Sequence, residues 1–576
     1  MIRLAKYMKP YLWPALFSVF FVFLQSLANL YLPTLMADIV DTGVVQGDMP
    51  YIFKMGGYML LVTLAAGVLT VLANYLASKA AAGFGRDLRN KMFAHVERFS
   101  LQEFDQVGTS SLITRTTNDI AQIEQVYMMV LKMMTMAPLM CIGGIIMAVS
   151  QDAPLSLVLV VALPLLIISV LILAKKGLPY FKAIQKKMDR LNLVLREELT
   201  GIRVIRSFNR AKHEMHRFDE ANQDITLTSI RINQIMSAAM PLMMLIMNLA
   251  MVAIVWFGGL RIGGGAMQVG DLMAFIQYAM QIMFSILMGA MMFIMIPRAQ
   301  ISANRVNEVL TIEPVIQDSE CAESTLSTQN EGVTFQNVSF SYPGAEKPAL
   351  SHLSFTAKRG ETTAIIGGTG AGKSTILNLI PRYFDVTGGS VRVNGVDVKD
   401  VPLEELRRRI GYVPQKSVLF TGTVAENIRY GNAQATDAEV RTAARIAQAD
   451  AFIQEMAHGY DSIIAQGGKN VSGGQKQRLA IARALARKAD IYLLDDSFSA
   501  LDYRTDARLR AELAQMTHSA AVILVAQRVS TILHADKIIV LDEGRIAGMG
   551  THDQLMKSCA VYQEIVASQL SKEELA

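Results

Sequence analysis

A lysine, a hydroxyl, two carboxylates and a run of glycines are the first residues in this chain whose types and spacing could do chemistry. Gly367, Gly368, Thr369, Gly370, Ala371, Gly372, Lys373, Ser374 and Thr375 fit G-x-x-x-x-G-K-[ST], and they sit between the apolar run Thr362 to Ile366 and the helix-like run Thr375 to Ile380. The glycines let backbone N–H groups close around phosphate oxygens. Lys373 brings charge to the β and γ phosphates, Ser374 offers a magnesium ligand, and a helix N-terminus adds a favourable dipole. A glycine-rich turn without a ligand is the bland alternative, and the strand and helix on either side argue against it. Further on, Ile491 to Asp495 reads as a buried strand ending in a carboxylate that can hold Mg2+. Many strands end in Asp, so Asp495 gains meaning only from its company.

That company is Val471 followed by Ser472, Gly473, Gly474 and Gln475, ahead of the helix-like run Lys476 to Arg487. A phosphate-binding loop alone fits any nucleotidase, but this pentapeptide resembles the signature of the ABC transporter family. The resemblance extends along the chain. Gln415 in Tyr-Val-Pro-Gln looks like the family's Q-loop, Phe420 to Ile428 its continuation, and Ser499 to Asp502 its D-loop. Tyr342 stands where the family places an aromatic that stacks on adenine, although a plain core tyrosine remains an alternative. In the N-terminal half, Phe104 to Gly108 with Arg115 and Asp119, and Glu198 to Gly201 with Phe208, are similar to the two intracellular loops of ABC exporters, which carry short coupling helices. The resemblance implies ATP and Mg2+ as cofactors, with Ser374, Gln415 and Asp495 around the metal. It also implies a second half-transporter as partner, because ATP lies between the P-loop of one chain and the signature of the other, with Asp502 at the same junction. Helix-starting N–H groups at Ser472 to Gly474 can meet a γ-phosphate only if it is presented from outside.

Two positions depart from the family pattern. After the strand-ending aspartate the family has Glu, which orients the attacking water; this chain has Asp496, one methylene shorter. Misplacing such a group by about 1 Å can cost on the order of 100-fold in rate. Where the family has a switch His, this chain has Gln527, whose amide donates and accepts but carries no proton. The pair resembles the slow site of heterodimeric multidrug exporters, in which the partner chain supplies the competent Glu and His. A homodimer with two slow sites is the alternative.

These residues require a domain to hold them and a machine to drive. From Gly332 onward, apolar strands alternate with helices, so residues 332–576 are expected to form an α/β P-loop ABC ATPase domain, reached through a polar linker at 309–331. Residues 1–308 are expected to form a polytopic α-helical membrane domain. A bilayer core about 30 Å thick needs roughly 20 apolar residues, and six charge-free runs qualify: Pro10 to Ala37, Met55 to Ser78, Met133 to Gln151, Ala153 to Ala174, Ile232 to Leu260 and Leu272 to Pro297. The third and fourth touch at Gln151 and Asp152, which leaves room only for a tight turn. Arg3, Lys6 and Lys9 precede a stretch too long for the apolar core of a cleavable signal peptide.

Lys79 to Lys132 and Lys175 to Arg231 are rich in Lys and Arg, whereas Met36 to Pro50 has none. The positive-inside rule therefore puts both termini and the ATPase domain in the cytoplasm, with the chain in a bacterial-type inner or plasma membrane. The two basic stretches, with helical periodicity, read as long helical hairpins.

Composition removes other classes. Of 576 residues 52% are hydrophobic and 18% charged, too apolar for a wholly soluble enzyme. A net charge of +5 spread over loops flanking spans gives no case for nucleic acid. Cys141, Cys321 and Cys559 lie far apart, without the spacing of a zinc site or a disulfide framework. Methionines crowd the third, fifth and sixth spans, among them Met136, Met140, Met243, Met280, Met283 and Met288, and Gln25, Asn29, Asn74, Asn248, Gln277 and Gln281 lie at membrane depth. The expected cargo is hydrophobic or amphipathic. A dedicated lipid or peptide exporter is an alternative within the family, and a nucleotide-sensing regulatory subunit or ATP-gated channel is one outside it.

Overall fold

The protein is described by a computed structural model over residues 2–318, 332–499 and 501–569. Cys321 and the remainder of the expected linker at 319–331, Ala500 of the expected D-loop, and residues 570–576 lie outside the described residues. The chain folds into two compact units, one of Met1–Glu97 with Thr109–Ile312, the other of Arg98–Gly108 with Glu313–Ala576.

In the first unit six helices are long and apolar enough to cross a membrane: Lys6–Val44, Met49–Val96, Thr109–Gln151, Leu157–Gly177, Ala211–Gly263 and Val269–Gly289. Four of the six charge-free runs fall wholly within one of them; the fourth run begins at Ala153, in the turn ahead of Leu157, and the sixth continues past Gly289 to Pro297 within the helix Val269–Leu310. The second spans 48 residues, about 70 Å at 1.5 Å per residue, more than twice the hydrocarbon thickness. The surplus is the arm of the first hairpin. Up to Ala81 the buried face of this helix is built of small residues, Ala66, Ala73, Ala77, Ala80 and Ala81, while Leu60, Leu64, Val68 and Val71 point outward; beyond it Phe84, Leu88 and Met92 take over. Small residues let backbones approach closely where lipid provides no hydrophobic drive between helices. Ser18 in the first helix uses that proximity, donating its hydroxyl to Ala73 O at 2.9 Å.

The tight turn between third and fourth helices is present. Asp152 is buried there; its Oδ1 accepts from Leu155 N at 2.7 Å and its Oδ2 accepts from Arg261 Nε at 2.6 Å. The first and sixth helices are joined by the fully buried Tyr278, whose hydroxyl donates to Leu30 O at 2.9 Å and lies 2.8 Å from Thr34 Oγ1.

The two hairpins end differently. The first carries a short helix of its own, Leu101–Val107, started by a capping box of Ser100 and Glu103. The second has no separate short helix: Leu157–Ser207 gives way to Ala211–Gly263 through Phe208, Asn209 and Arg210. Asn209 adopts φ 53, Arg210 N donates to Ile205 O and Asn209 N to Arg206 O, the pattern by which a left-handed residue stops one helix in a single turn.

The second unit is an α/β fold. Its main sheet has the strand order Arg545–Gly550, Lys537–Asp542, Thr362–Gly367, Ala521–Val525, Ile491–Asp495, Ile410–Val413. All neighbours are parallel except the first pair. Strands such as Ile491–Asp495 and Ala521–Val525 are buried along their whole length, as a parallel sheet covered on both faces demands. A four-stranded antiparallel sheet of Leu350–Ala357, Val333–Phe340, Gly388–Val393 and Val396–Asp397 packs beside it.

Candidate nucleotide-binding site

Thr362–Gly367 and Ile491–Asp495 both flank Ala521–Val525 in the parallel sheet, so their C-terminal ends emerge side by side. Open parallel sheets bind ligands at that edge. Gly367 to Gly372 form the loop leaving the first strand, and Lys373–Leu379 is the helix that follows. Gly372, at φ 93, is that helix's N-cap; a Cβ there would lie 2.6 Å from Leu350 Cδ2 and 2.8 Å from Ala349 O, so only glycine fits.

Lys373 folds over its own loop, donating from Nζ to Gly367 O at 2.8 Å and Gly368 O at 2.7 Å. Burial pushes its pKa down, against the pull of Asp496 and Asp495. The Ser374 hydroxyl donates to Asp495 Oδ1 at 3.0 Å. Burial also drives the Asp495 carboxyl above the usual carboxylate range, which Ser374 and Lys373 only partly offset. A desolvated carboxylate beside a hydroxyl is a pair of hard oxygen donors short of positive charge. Among the described residues no cluster of three His, Cys, Asp or Glu could hold a metal by itself. The Ser374 and Asp495 oxygens fit Mg2+, which keeps several waters and takes one or two protein oxygens plus substrate phosphates.

Asp496 follows at φ 49 and is held on every side. Its N donates to Val525 O at 3.0 Å, its O accepts from Gln477 Nε2 at 3.1 Å and from Ser499 Oγ at 2.9 Å, and its Oδ2 accepts from Gln527 Nε2 at 2.9 Å. The two departures from the family pattern thus touch each other. Gln477 is the residue that sequence reasoning missed. It is buried on the helix Gly473–Ala486, but between Lys476 and Arg478 it carries no sequence signal of that burial.

The remaining candidates are placed as follows. Tyr342 is half-exposed; its ring meets Phe340 and Phe384 edge-on at 4.9 and 5.4 Å, and its hydroxyl lies 3.0 Å from Thr375 Oγ1. It belongs to the aromatic core and the phosphate loop at once. Thr369 and Gly370 are exposed, and Ala371 is buried. Gln415 is exposed in the loop after Ile410–Val413. Ser472 caps the helix Gly473–Ala486: its Oγ accepts from Gln475 N at 3.2 Å, while Gln475 Oε1 accepts from Ser472 N at 2.8 Å. The cap takes Gln475 Oε1, and the N–H groups of Gly473 and Gly474 open the helix. Asp502 caps the next helix, Tyr503–Thr517, with Oδ1 on Thr505 N at 3.0 Å, and that hydrogen bonding lowers its pKa. In the segment Phe420 to Ile428, Asn427 is buried and bonds both N and O of Phe420 at 2.9 and 2.8 Å.

Comparison with known proteins decides the family. The model of the ABC transporter transmembrane region matches residues 15–286, and that of the ABC transporter matches residues 350–499. An uncharacterized ABC transporter ATP-binding protein of Mycobacterium tuberculosis is 42% identical over 98% of this chain and 97% of its own. The chain belongs to the ABC transporters. It is a half-transporter, one membrane domain followed by one ATPase domain. An ATP-dependent lipid A-core flippase of Desulfotalea psychrophila is 31% identical over 96% of each chain. A solved bacterial Atm1-family ABC exporter with ATP bound matches 97% of this chain and 98% of its own, with a TM-score of 0.80 and 25% identity. The half-transporter is accordingly a multi-pass membrane protein of exporter fold that binds ATP, drives transport with it and works as a dimer.

Its membrane unit has two grooves flanking the contact of third and sixth helices. One, of about 360 Å³, is lined by Met136, Met140, Gln277, Met280, Gln281 and Met288 among others; the second, of about 340 Å³, includes Met134, Cys141 and Met292. Gln281 Oε1 is buried without a hydrogen-bond partner. Met243 and Met283 are packed inside, whereas Asn74 and Asn248 are exposed on the single chain.

Proposed function

We propose that this half-transporter is the slow-hydrolysing subunit of a heterodimeric exporter that moves hydrophobic or amphipathic compounds out of the cytoplasm or inner leaflet. The observation that carries the reading is the 2.9 Å hydrogen bond from Gln527 Nε2 to Asp496 Oδ2. A carboxylate one methylene short of the family's Glu, with one oxygen on an amide that cannot shuttle a proton, is poorly placed to take a proton from an attacking water. This chain's own P-loop, with Ser374, Gln415 and Asp495 around Mg2+, holds ATP tightly and releases it slowly. When bound, Mg2+ neutralises charge on the β and γ phosphates. Ser472, Gly473 and Gly474 complete the competent site on the partner's P-loop, and Tyr342 offers its half-exposed ring to adenine. Both termini lie in the cytoplasm, because the Lys- and Arg-rich hairpins flank the spans on that side of the plasma membrane.

The test is a pair of variants in the purified complex. Ser472→Ala or Gly474→Asp lowers ATPase activity more than Asp496→Asn does. If Asp496→Asn abolishes hydrolysis while Ser472→Ala spares it, the fast site belongs to this chain and the proposal is wrong.

A second reading is a dedicated lipid exporter, favoured by the identity shared with the lipid A-core flippase along nearly the whole chain. Scrambling of labelled lipid in proteoliposomes, set against efflux of amphipathic dyes, separates the two.

A further inference from the structure

Residues 98–108 lie in the membrane half by sequence order, but they pack in the compact unit that contains residues 313 onward. One side chain joins the two stretches directly. Glu103, on the helix Leu101–Val107, is 2% exposed and both of its oxygens are engaged. Its Oε2 accepts from Ser100 N at 2.6 Å, which starts the helix, and its Oε1 accepts from Val315 N at 3.3 Å. Val315 belongs to the segment leaving the sixth spanning helix. Three residues later, Asp318 Oδ1 accepts from Leu403 N at 2.8 Å, at the start of the helix Leu403–Arg408.

Within the membrane unit the same two stretches of chain meet again. His95 Nε2, at the end of the helix Met49–Val96, donates to Ile312 O at 2.9 Å. Capping alone does not require a buried carboxylate: the box of Thr436 and Glu439 in the same unit has a Glu side chain 35% exposed. Burying Glu103 costs desolvation, which its two N–H partners among the described residues offset. The second of those partners is the linker.

We infer that Glu103 is a positioning residue for transport, fastening the tip of the first hairpin to the exit of the sixth helix. The chain passes between the units at 97/98, 108/109 and 312/313. The Glu103–Val315 bond ties the first two crossings to the third, so the ATPase domain pulls on the second, third and sixth helices as one block. Without the bond, closure of the ATPase domains on ATP continues, but less of that movement reaches the membrane helices. The inference rests on ATP-driven export by a dimer and is independent of which ATP site is fast.

The experiment uses the full dimeric transporter in nanodiscs, without native cysteines, and spin-label distances between protomers with ATP and vanadate. One label replaces Gln434 in the ATPase domain; another, in a separate preparation, replaces Gln46 in the turn between first and second helices. In Glu103→Ala and in Val315→Pro, which lacks the donor N–H, the Gln434 distance still shortens and ATPase activity stays within about twofold of wild type. The fraction with a shifted Gln46 distance falls about tenfold, as expected for one lost hydrogen bond to a charged group. The double variant is no worse than either single, because both remove the same bond. Glu103→Gln, with one acceptor oxygen in place of two, falls between wild type and Glu103→Ala, and it decides the matter if Val315→Pro does not assemble. The inference is overturned if the two distances respond together in the single variants, if neither changes, if the two effects multiply, or if Glu103→Gln matches wild type.

Discussion

Gln527 Nε2 donates to Asp496 Oδ2 at 2.9 Å, and the backbone of Asp496 is pinned at the same time by Val525 O, Gln477 and Ser499. A side chain with one methylene on a fixed backbone cannot stretch toward a water by moving its Cα. Lengthening it is the direct remedy. Asp496→Glu combined with Gln527→His should raise hydrolysis at this chain's own site by on the order of 100-fold, the cost attached to about 1 Å of misplacement. The measurement is phosphate release in a Ser472→Ala background, where the partner's composite site is disabled. An unchanged rate would mean that the two residues do not limit turnover there.

Gly372 and Gly368 give opposite expectations within one loop. At Gly372 the backbone is left-handed, and a Cβ would press on Leu350 and the Ala349 carbonyl, whereas a Cβ at Gly368 has nothing within 4 Å. Gly372→Ala should therefore lower the thermal stability of the ATPase domain, by about 1 kcal/mol or more from the φ alone. Gly368→Ala should leave stability intact, and any loss should appear in nucleotide affinity. Thermal unfolding of the purified transporter, followed by labelled-ATP binding, distinguishes the two.

Much of this was legible because the relevant information is local. The strand–loop–helix around Lys373 announces itself by adjacency, and six spans announce themselves by length without charge. The capping roles of Ser472 with Gln475, and of Asp502, were also written locally, as a polar residue three positions ahead of a partner at a helix start. Other features depend on chain segments far apart in sequence. Gln477 reaches the carbonyl of Asp496 only because the signature helix packs across the strand end. The attachment of residues 98–108 to the second unit depends on Val315, 212 positions from Glu103. No window of sequence contains such a pair.

The methionines in the groove between third and sixth helices make a prediction about cargo range. Met136, Met140, Met280 and Met288 line it together with Gln277 and Gln281. Unbranched thioether side chains adopt many shapes, so one groove can close around different apolar molecules. Isoleucine has similar apolar character but is stiff at its β-branch. Replacing Met140 and Met280 by Ile should leave basal ATPase unchanged while narrowing the set of amphipathic dyes that stimulate it, with some retained and others lost. A uniform loss across the panel would point to a packing defect, and a uniformly unchanged panel would show that the groove does not contact cargo. Gln281→Leu adds a chemical contrast at the same wall, because it removes a buried acceptor oxygen that has no protein partner. Dyes carrying an N–H or O–H donor should lose stimulation selectively, whereas donor-free dyes of equal size should keep or gain it.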